Sequence, residues 1–316
     1  VQAKFDHQSE YSVQTLIRNP GVASFVNIAK GCDNFCSYCI VPYARGREKS
    51  REIKNVLAEA KNFVKQGGIE ISLLGQNVNS YKWETEDDRV AFHDLLRMVS
   101  EVSPLLRVRF ATSHPKDISD DLIKTIAAHH NICKYIHLPV QSGSSAVLTK
   151  MHRKYTREWY MERIETIKKH IPEVGLSTDI IAGFCSETEE DHKETLSLME
   201  WVAYDYAFMF KYSERPDTIA AKKFEDDVPE DVKSRRLNEI IQQQQKSALE
   251  LNKKDVGKTF EVLVEKVSKK SDKELAGRNS QNKMIVFPRK DYKPGDYVMV
   301  KVNDCTAATL IGESVE

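Results

Sequence analysis

Three of the chain's six cysteines stand close together, at Cys32, Cys36 and Cys39, in the spacing C-x3-C-x2-C. Thiols at such spacing can hold zinc, form a disulfide or ligate an iron–sulfur cluster. A structural zinc site needs four ligands, and no fourth Cys or His lies in the local loop. A disulfide would leave one odd thiol. Three thiolates on a four-iron cluster would leave one iron open, which is a catalytic feature.

The elements around this cluster are β-branched runs that alternate with amphipathic helical stretches, a pattern typical of β–α units around a parallel sheet. The sequence predicts six such strands, in the segments ASFVNIAKG, IEISLLGQNVNSY, LLRVRFATSHP, KYIHLPVQSGS, GLSTDIIAGF and YDYAFMFKYSERP. Six units are two short of a (β/α)8 barrel, so we predict an α/β fold with a partial (β/α)6 barrel that is open on one side.

Polar residues gather where the predicted strands end. They are Cys32, Gln76, Asn77, Ser113, His114, Gln141, Ser142, Asp179 and Tyr212. Because catalytic groups of such barrels lie at the C-terminal ends of the strands, we expect these side chains to meet at one rim.

The pattern changes near Asp227. A long helix with Pro229 near its start is predicted to connect two domains over residues 227–255. Five short strands over 256–316 then predict a small C-terminal β-barrel. The partial barrel is assigned to residues 23–226, and the polar, loop-like residues 1–22 are interpreted as a linker from a domain that precedes this chain.

Composition favours an ordinary soluble protein. Lys and Arg number 47 and so do Asp and Glu, so a nucleic-acid partner must be met by local patches. No apolar run approaches the roughly 20 residues that span a bilayer, and the first residues lack the regions of a signal peptide. The sequence therefore predicts a cytoplasmic protein without a membrane partner, in which the isolated Cys133, Cys185 and Cys305 are buried thiols or bystanders.

The cysteine motif with Tyr38 as its aromatic, directly after the first strand of a β–α barrel, resembles the radical S-adenosylmethionine superfamily. The resemblance implies that Cys32, Cys36 and Cys39 ligate a [4Fe-4S] cluster with one open iron. It also implies that this iron chelates S-adenosylmethionine, which is split to give a 5′-deoxyadenosyl radical.

Further motifs narrow the resemblance: CIVPYARGREKSR, LLGQNVNSY, RFATSHP, HLPVQSGSSAVLTKMHR, STDIIAGF and YSERP, in that order. They are similar to the methylthiotransferase family. GQNVNSY in particular resembles the tRNA subgroup that converts N6-isopentenyladenosine at position 37 into its 2-methylthio derivative, with two S-adenosylmethionines per product. Family members usually have Pro-Gly after GF, whereas this chain has Cys185-Ser186.

Family members also begin with a domain whose three cysteines hold a second iron–sulfur cluster, the source or carrier of the inserted sulfur. No segment of this chain matches that domain. We therefore expect the chain to be the catalytic and C-terminal part of a longer protein, able to cleave S-adenosylmethionine but not to complete sulfur insertion.

The resemblance implies a set of cofactor contacts, each with a structural alternative. Tyr38 would pack on the adenine or shield the cluster, and Gln76 with Asn77 would hold the amino end of S-adenosylmethionine or cap a strand. Arg153 would pair with the cofactor carboxylate. The remaining assigned contacts are Ser113 to cofactor or RNA, Gln141, Ser142 and Gly143 to the ribose or carboxylate, and Asp179 as a hydrogen-bonded carboxylate within the pocket.

The partners expected are the tRNA anticodon stem-loop, a reductant such as a flavodoxin or ferredoxin, and a sulfur donor. A basic run after the cluster could meet phosphates; it consists of Arg45, Arg47, Lys49, Arg51 and Lys54. The C-terminal barrel resembles the TRAM domain, with RNA-contact candidates Lys269, Lys270, Lys273, Arg278, Lys283 and Phe287, the last more compatible with a core position.

Two alternatives stay open. One is methylthiolation of another substrate, either threonylcarbamoyl-adenosine in tRNA or a ribosomal protein. The other is a non-catalytic RNA-binding protein whose cysteines hold zinc.

Overall fold

A computed structural model describes residues 21–84 and 89–315 of the chain. Its first part contains six parallel strands that form a partial barrel, which is called the half-barrel below. These strands are β1 (Ala23–Asn27), β4 (Glu70–Leu74), β7 (Arg107–Phe110), β8 (Tyr135–His137), β9 (Gly175–Ala182) and β10 (Tyr206–Lys211). Short antiparallel pairs flank them, namely β2 (Ala29–Lys30) with β3 (Lys49–Ser50) and β5 (Lys82–Glu84) with β6 (Arg89–Ala91).

The half-barrel consists of two three-stranded sheets, ordered β1-β4-β7 and β8-β9-β10. A bridge between Val108 and Ile132 joins β7 to the segment that leads into β8. Because β1 and β10 stand at the two ends of this order, the barrel is open between them. The predicted partial (β/α)6 barrel is confirmed, with all six strands in the segments expected.

Helices alternate with these strands, and the longer ones pack on the core beneath the sheets. These helices are α1 (Val41–Arg45), α2 (Ile53–Lys65), α3 (Phe92–Ser100), α4 (Asp120–Ala128), α5 (Ser145–Lys150), α6 (Arg157–His170), α7 (Glu189–Val202) and α8 (Ile219–Lys223). In α2 the apolar residues Val56, Ala60 and Phe63 recur at helical spacing and are buried, so one face packs on the core. Side-chain caps begin several helices, as Thr188 does for α7 through a capping box with Asp191.

Helix α9 (Glu230–Asp255) leads from the half-barrel to the C-terminal domain. The domain is a closed barrel in the order β11-β12-β13-β15-β14. Its strands are β11 (Thr259–Val267), β12 (Glu274–Arg278), β13 (Met284–Pro288), β14 (Tyr297–Cys305) and β15 (Leu310–Ser314). Phe287 is only 1% exposed and lies in the barrel core, so it is not a stacking platform for RNA.

The turn between β12 and β13 lies against the N-terminal ends of the half-barrel strands. The Arg107 and Arg109 guanidinium groups donate to the carbonyl oxygens of Arg278 and Asn279 at 2.7 and 2.9 Å. Gly175, at the start of β9, approaches Gln281 so closely that an added Cβ would stand 2.4 Å from the Gln281 carbonyl oxygen. The C-terminal domain therefore covers the N-terminal ends of the strands, which we call the lower rim. The C-terminal ends of the strands, which carry the polar residues, form the upper rim and are not covered by this turn.

Candidate functional site at the C-terminal rim

A cavity of about 580 Å³ lies at the C-terminal ends of the half-barrel strands. Nine of the twelve predicted site residues line it: Cys32, Cys36, Tyr38, Cys39, Gln76, Ser113, Gln141, Arg153 and Asp179. The volume falls within the roughly 300–1,000 Å³ of small-molecule sites. Three cysteines, a buried arginine and a carboxylate thus converge in a space large enough for a cofactor.

The cysteine loop is held by a glycine that tolerates no side chain. Gly31 has φ +76°, and a Cβ there would stand 2.1 Å from the Arg47 carbonyl oxygen. The Gly31 N–H donates to Gln76 Oε1 at 2.6 Å, and the Cys32 N–H donates to the Gly46 carbonyl at 3.2 Å. These contacts fold the loop back on itself and direct its thiols toward the cavity.

The three thiols differ in burial. Cys36 is buried, while Cys32 and Cys39 are half-buried. Burial raises the pKa of the Cys32 thiol, against a backbone N–H of Asn34 that lowers it, and burial likewise raises the pKa of Cys39. Thiols with raised pKa values remain protonated at neutral pH unless a metal or cluster stabilises the thiolates.

In the described part of the chain, no group of three or more His, Cys, Asp or Glu side chains is arranged to hold a metal ion. A zinc site needs four such ligands, so the side chains as placed do not form one. An iron–sulfur cube is larger than a single ion, and each of its protein ligands binds a different iron. Three thiols around one cavity are therefore better suited to a cluster than to zinc.

Three buried polar atoms beside the cavity lack a hydrogen-bond partner among the described residues: Ser113 Oγ, His114 Nε2 and the Tyr212 hydroxyl. All three residues line the cavity and are at most 5% exposed. His114 Nδ1 accepts from the Lys116 backbone N–H at 3.3 Å, so the neutral ring carries its proton on Nε2. Burial and then the nearby Arg153, Lys116 and Lys154 hold the pKa of His114 far below its ordinary value. Two hydroxyls and an N–H are thus left for a ligand.

Arg153 lies between the cysteine loop and the barrel wall and is 3% exposed. Its Nη1 donates to Cys36 Sγ at 3.2 Å and to the Tyr38 hydroxyl at 3.4 Å. Its Nη2 donates to the Pro139 carbonyl at 2.7 Å, and its Nε donates to the Tyr155 hydroxyl at 2.9 Å. The guanidinium is thus fixed on all sides and directed at the cluster motif.

Asp179 faces the cavity from β9, and His137 lies beside it with 3.4 Å between His137 Nε2 and Asp179 Oδ1. The Ser177 hydroxyl joins His137 Nδ1 at 2.8 Å and the Tyr135 hydroxyl at 2.6 Å. Asp179 thus faces the cavity beside a histidine ring that is itself held by Ser177. His137 and Ser177 were not predicted, although their alternation with Asp179 along β8 and β9 would have placed them on the same face.

Three predicted contacts lie outside the cavity lining. Asn77 is 2% exposed, and its side chain donates to Asp117 Oδ2 at 2.7 Å and accepts from the His114 N–H at 3.0 Å. Ser142 is fully buried, and the Gly143 N–H donates to Thr195 Oγ1 at 2.9 Å. Asn77, Ser142 and Gly143 therefore connect the loops at this rim to one another. Gln76 does line the cavity, but its side-chain Oε1 accepts from the Gly31 N–H.

Sequence reasoning missed an aromatic wall at the open side of the cavity. Tyr206, Phe208 and Phe210 alternate along β10, and each is about half exposed, at 54%, 45% and 54%. Phe208 pairs in register with Asp179 and its ring meets the His137 ring edge to face at 5.7 Å. Phe210 lines the cavity itself. The signal is present in the period-2 pattern of YAFMFK, which puts aromatic side chains at 206, 208 and 210 on one face of the strand.

Three of the expected phosphate contacts are engaged elsewhere, among them Arg278, which is half-buried and pairs with Glu265 at 2.6 Å. Arg51 is 2% exposed and pairs with Glu59 at 2.5 Å, so it is not a surface cation. Lys283 pairs with Asp205 at 3.0 Å and Asp255 at 2.6 Å. Exposed cations of the two basic regions are Arg45, Arg47, Lys54, Lys269, Lys270 and Lys273.

The remaining cysteines are free thiols: Cys133 and Cys185 are buried and Cys305 is half-buried. Cys185 packs in a small apolar cluster with Phe184 and Tyr212 below the cavity rim. Separately, none of the helices in residues 21–84 and 89–315 is both long enough and apolar enough to cross a membrane.

With this geometry in place, comparison with known proteins becomes informative. The Radical SAM superfamily model matches residues 26–199, and the TRAM domain model matches residues 253–315. The tRNA-2-methylthio-N(6)-dimethylallyladenosine synthase of Phocaeicola vulgatus is 58% identical over 294 residues, which cover 93% of this chain and 64% of that protein. The synthase of Parabacteroides distasonis is 52% identical, with coverage of 100% and 70%.

The chain belongs to the methylthiotransferase family of the radical SAM superfamily. It spans 64% of the Phocaeicola vulgatus relative, just under two thirds of that protein's length. Among solved structures, coproporphyrinogen III oxidase of Escherichia coli matches with a TM-score of 0.53 at 14% identity, covering 83% of this chain and 67% of that one. At this identity the match bears on the fold alone, and it agrees with the open half-barrel.

Proposed function

We propose that the chain is the catalytic part of a radical SAM methylthiotransferase that converts N6-isopentenyladenosine at tRNA position 37 into its 2-methylthio derivative. The observation that carries the proposal is the convergence of Cys32, Cys36 and Cys39 on one cavity at the C-terminal rim. Relatives of more than 50% identity are named for this product, in which N6-dimethylallyl is the isopentenyl group. Two S-adenosylmethionines would be used per product.

The cavity fits a [4Fe-4S] cluster and S-adenosylmethionine, with the three cysteines as ligands. When bound, the pair supplies a radical able to take hydrogen from an aromatic C–H bond, which offers no acid or leaving group to ordinary catalysis. The chain's own part is to hold the thiolates, exclude water and place polar groups around the second cofactor. Among the described residues, Ser113 Oγ, His114 Nε2 and the Tyr212 hydroxyl are the buried atoms of the cavity lining that lack another partner for this task.

The roles proposed for the other residues depend on whether each residue lines the cavity. Tyr38, Gln141 and Asp179 line the cavity and are proposed to contact S-adenosylmethionine. Gln76 would act mainly through the cysteine loop that it holds. Asn77, Ser142 and Gly143 would act indirectly, by holding the loops that carry those contacts.

The aromatic wall favours an isopentenyl group on the substrate over a threonylcarbamoyl group. Phe210 presents apolar surface in the cavity lining, and Phe208 exposes a second ring two residues earlier on β10, so a branched hydrocarbon tail gains contact there by leaving water. A threonylcarbamoyl group carries a carboxylate, which these rings cannot pair; the cations nearest to Phe210 along the chain that also line the cavity are Lys211, which pairs with Glu230, and Arg215.

The tRNA anticodon stem-loop would be bound through the exposed cations beside the cysteine loop and on the TRAM domain. The electron would come from a reductant such as a flavodoxin or ferredoxin. A sulfur donor and a second [4Fe-4S] cluster would act from a domain beyond this chain, and the whole protein would work in the cytoplasm.

The proposal is tested by anaerobic reconstitution of the chain with iron and sulfide, followed by metal and acid-labile sulfide analysis. We expect about four irons and four sulfides per chain. Zinc without sulfide would instead support the non-catalytic RNA-binding alternative. Release of 5′-deoxyadenosine from S-adenosylmethionine after reduction is the second expected readout.

The substrate assignment is tested by binding of anticodon stem-loops that carry adenosine, isopentenyladenosine or threonylcarbamoyl-adenosine at position 37. We expect the isopentenyl form to bind most tightly, and Phe210→Ala to remove that preference. Tyr206→Ala is the matched control, because Tyr206 has the same exposure on the same strand but does not line the cavity. A stronger preference for the threonylcarbamoyl form would overturn the assignment.

A further inference from the structure

Six Arg and Lys residues are buried in the described part of the chain: Arg51, Arg107, Arg109, Arg153, Lys233 and Arg236. Five of them form an ion pair with a carboxylate, within 3.2 Å in every case. Arg153 forms none among the described residues; its partners are a thiol, two phenol hydroxyls and a carbonyl. Among these six buried cations, Arg153 is therefore the one without a carboxylate partner.

This exception is physically costly. Removing a guanidinium from water is unfavourable unless a nearby negative charge compensates, because neutral dipoles replace only part of its hydration. An arginine cannot escape the cost by losing its proton. A buried arginine without a carboxylate therefore implies that a negative charge arrives with a bound group.

The position of Arg153 indicates which group that is. Four hydrogen bonds use four of the five guanidinium N–H groups, and one of the four goes to Cys36 Sγ at 3.2 Å. A cluster held by three thiolates has a net negative charge, and this charge grows by one unit on reduction. One free N–H is not enough for the two-bond pairing with the cofactor carboxylate that the sequence suggested.

We propose that Arg153 is a positioning residue that supplies the counter-charge of the cluster and, through its N–H bond to the Cys36 sulfur, raises the cluster's reduction potential. The inference rests on the proposed function, since it requires a cluster on the three cysteines. A fixed positive charge and a donor to sulfur both stabilise the form with one more electron. Tyr155 and Pro139 hold the guanidinium in place for this task.

The test is a redox titration of the reconstituted chain, followed by its electron paramagnetic resonance signal, with no S-adenosylmethionine present. Arg153→Gln removes the charge, and Arg153→Lys keeps it while losing the fixed geometry. Lys154→Gln is the matched control, because it removes one positive charge from the next residue, which is exposed and makes no contact with Cys36. Iron and sulfide are counted in every sample.

We expect Arg153→Gln to favour the oxidised cluster at least tenfold, which is a potential about 59 mV lower for a one-electron couple. Arg153→Lys should lie between Arg153→Gln and the unaltered chain, and Lys154→Gln close to the latter. If Arg153→Gln binds too little cluster to titrate, a normal iron content in Arg153→Lys supports the counter-charge role, and equal loss in both variants contradicts it.

An unchanged potential in Arg153→Gln overturns the proposal. If S-adenosylmethionine then binds more weakly to that variant, Arg153 serves the cofactor carboxylate instead. Failure of the proposed function gives a different result, because the unaltered chain itself would then take up no iron and sulfide.

Discussion

The two rims of the half-barrel differ in how their buried charged groups are paired. At the N-terminal rim, Arg109 pairs with Glu70 at 2.9 Å, Lys283 pairs with two aspartates, and a turn of the C-terminal domain covers the strand ends. At the C-terminal rim, Ser113 Oγ and His114 Nε2 have no partner in the described residues and Arg153 has no carboxylate. The cations of the lower rim are paired with carboxylates, although Arg109 Nη1 and Asn279 Nδ2 lack a hydrogen-bond partner among the described residues. At the upper rim the buried cation itself has no carboxylate in the described part of the chain.

This difference in charge pairing indicates that the lower rim stabilises the fold and that the upper rim binds a ligand. A buried cation normally has a compensating carboxylate when its task is structural, so a buried arginine without one, beside unpartnered polar atoms that line a cavity, indicates a ligand. The same division is found in β–α barrels generally, whose catalytic groups lie at the C-terminal face. Changes at the lower rim should therefore affect unfolding, and changes at the upper rim should affect the cofactors.

The largest effect is expected for the thiols. Replacing Cys32, Cys36 or Cys39 by Ala should abolish cluster binding, because a cube held by two thiolates is labile. Iron and sulfide after anaerobic reconstitution measure this. Cys133→Ala is the control, since Cys133 is buried away from the cavity and should leave the iron content unchanged. Equal iron in the Cys36 and Cys133 variants would remove the basis of the site.

Next in size is the lower rim. Glu70→Gln leaves Arg109 buried without its carboxylate, and breaking such a pair costs about 3–5 kcal/mol of unfolding free energy. Urea unfolding measures the loss, and iron per folded chain should not change. Glu84→Gln removes the exposed partner of Arg89 and should cost less than about 1 kcal/mol. If both variants unfold alike, the lower rim is not the stabilising element inferred here.

Two glycines of the cysteine loop provide a matched pair. Gly31 and Gly46 both have positive φ, at +76° and +78°, but only at Gly31 would a Cβ meet a backbone atom within 4 Å. Gly46 has ψ −169°, in a backbone region that is essentially restricted to glycine, so Gly46→Ala should cost about 1–3 kcal/mol from its backbone conformation alone and should still bind the cluster. Gly31→Ala should cost more and lose iron, because the loop must open. Normal iron binding by Gly31→Ala would show that the loop geometry is not required.

The smallest effect concerns pH. The unfolded chain protonates His114 as the pH falls through its ordinary value of 6.5, while the folded ring, whose pKa is held far lower, stays neutral. The unfolded state then binds more protons, so stability is full above this pH and falls below it, by at most about 1.4 kcal/mol per pH unit. In His114→Gln this slope between pH 6.5 and 5 should decrease. An identical slope would mean that His114 can be protonated in the folded chain.

Much of the fold and part of the site could be read from the sequence. Strand and helix periodicity located the six parallel strands, and cysteine spacing located the cysteine loop after the first of them. The functional duties of Asn77, Ser142 and Gly143 could not be separated from structural ones, because a strand-end amide or small residue serves either. Likewise, Arg51 and Lys283 read as surface cations until tertiary contacts with Glu59, Asp205 and Asp255 appeared.

The claim that the upper rim is completed by a cluster with one open iron is tested most directly by electron paramagnetic resonance. The reconstituted, reduced chain would be measured before and after addition of S-adenosylmethionine. The account predicts the signal of a reduced [4Fe-4S] cluster whose shape changes when the cofactor binds the open iron. A signal that is identical with and without S-adenosylmethionine, or a chain that holds zinc and gives no signal, would contradict it.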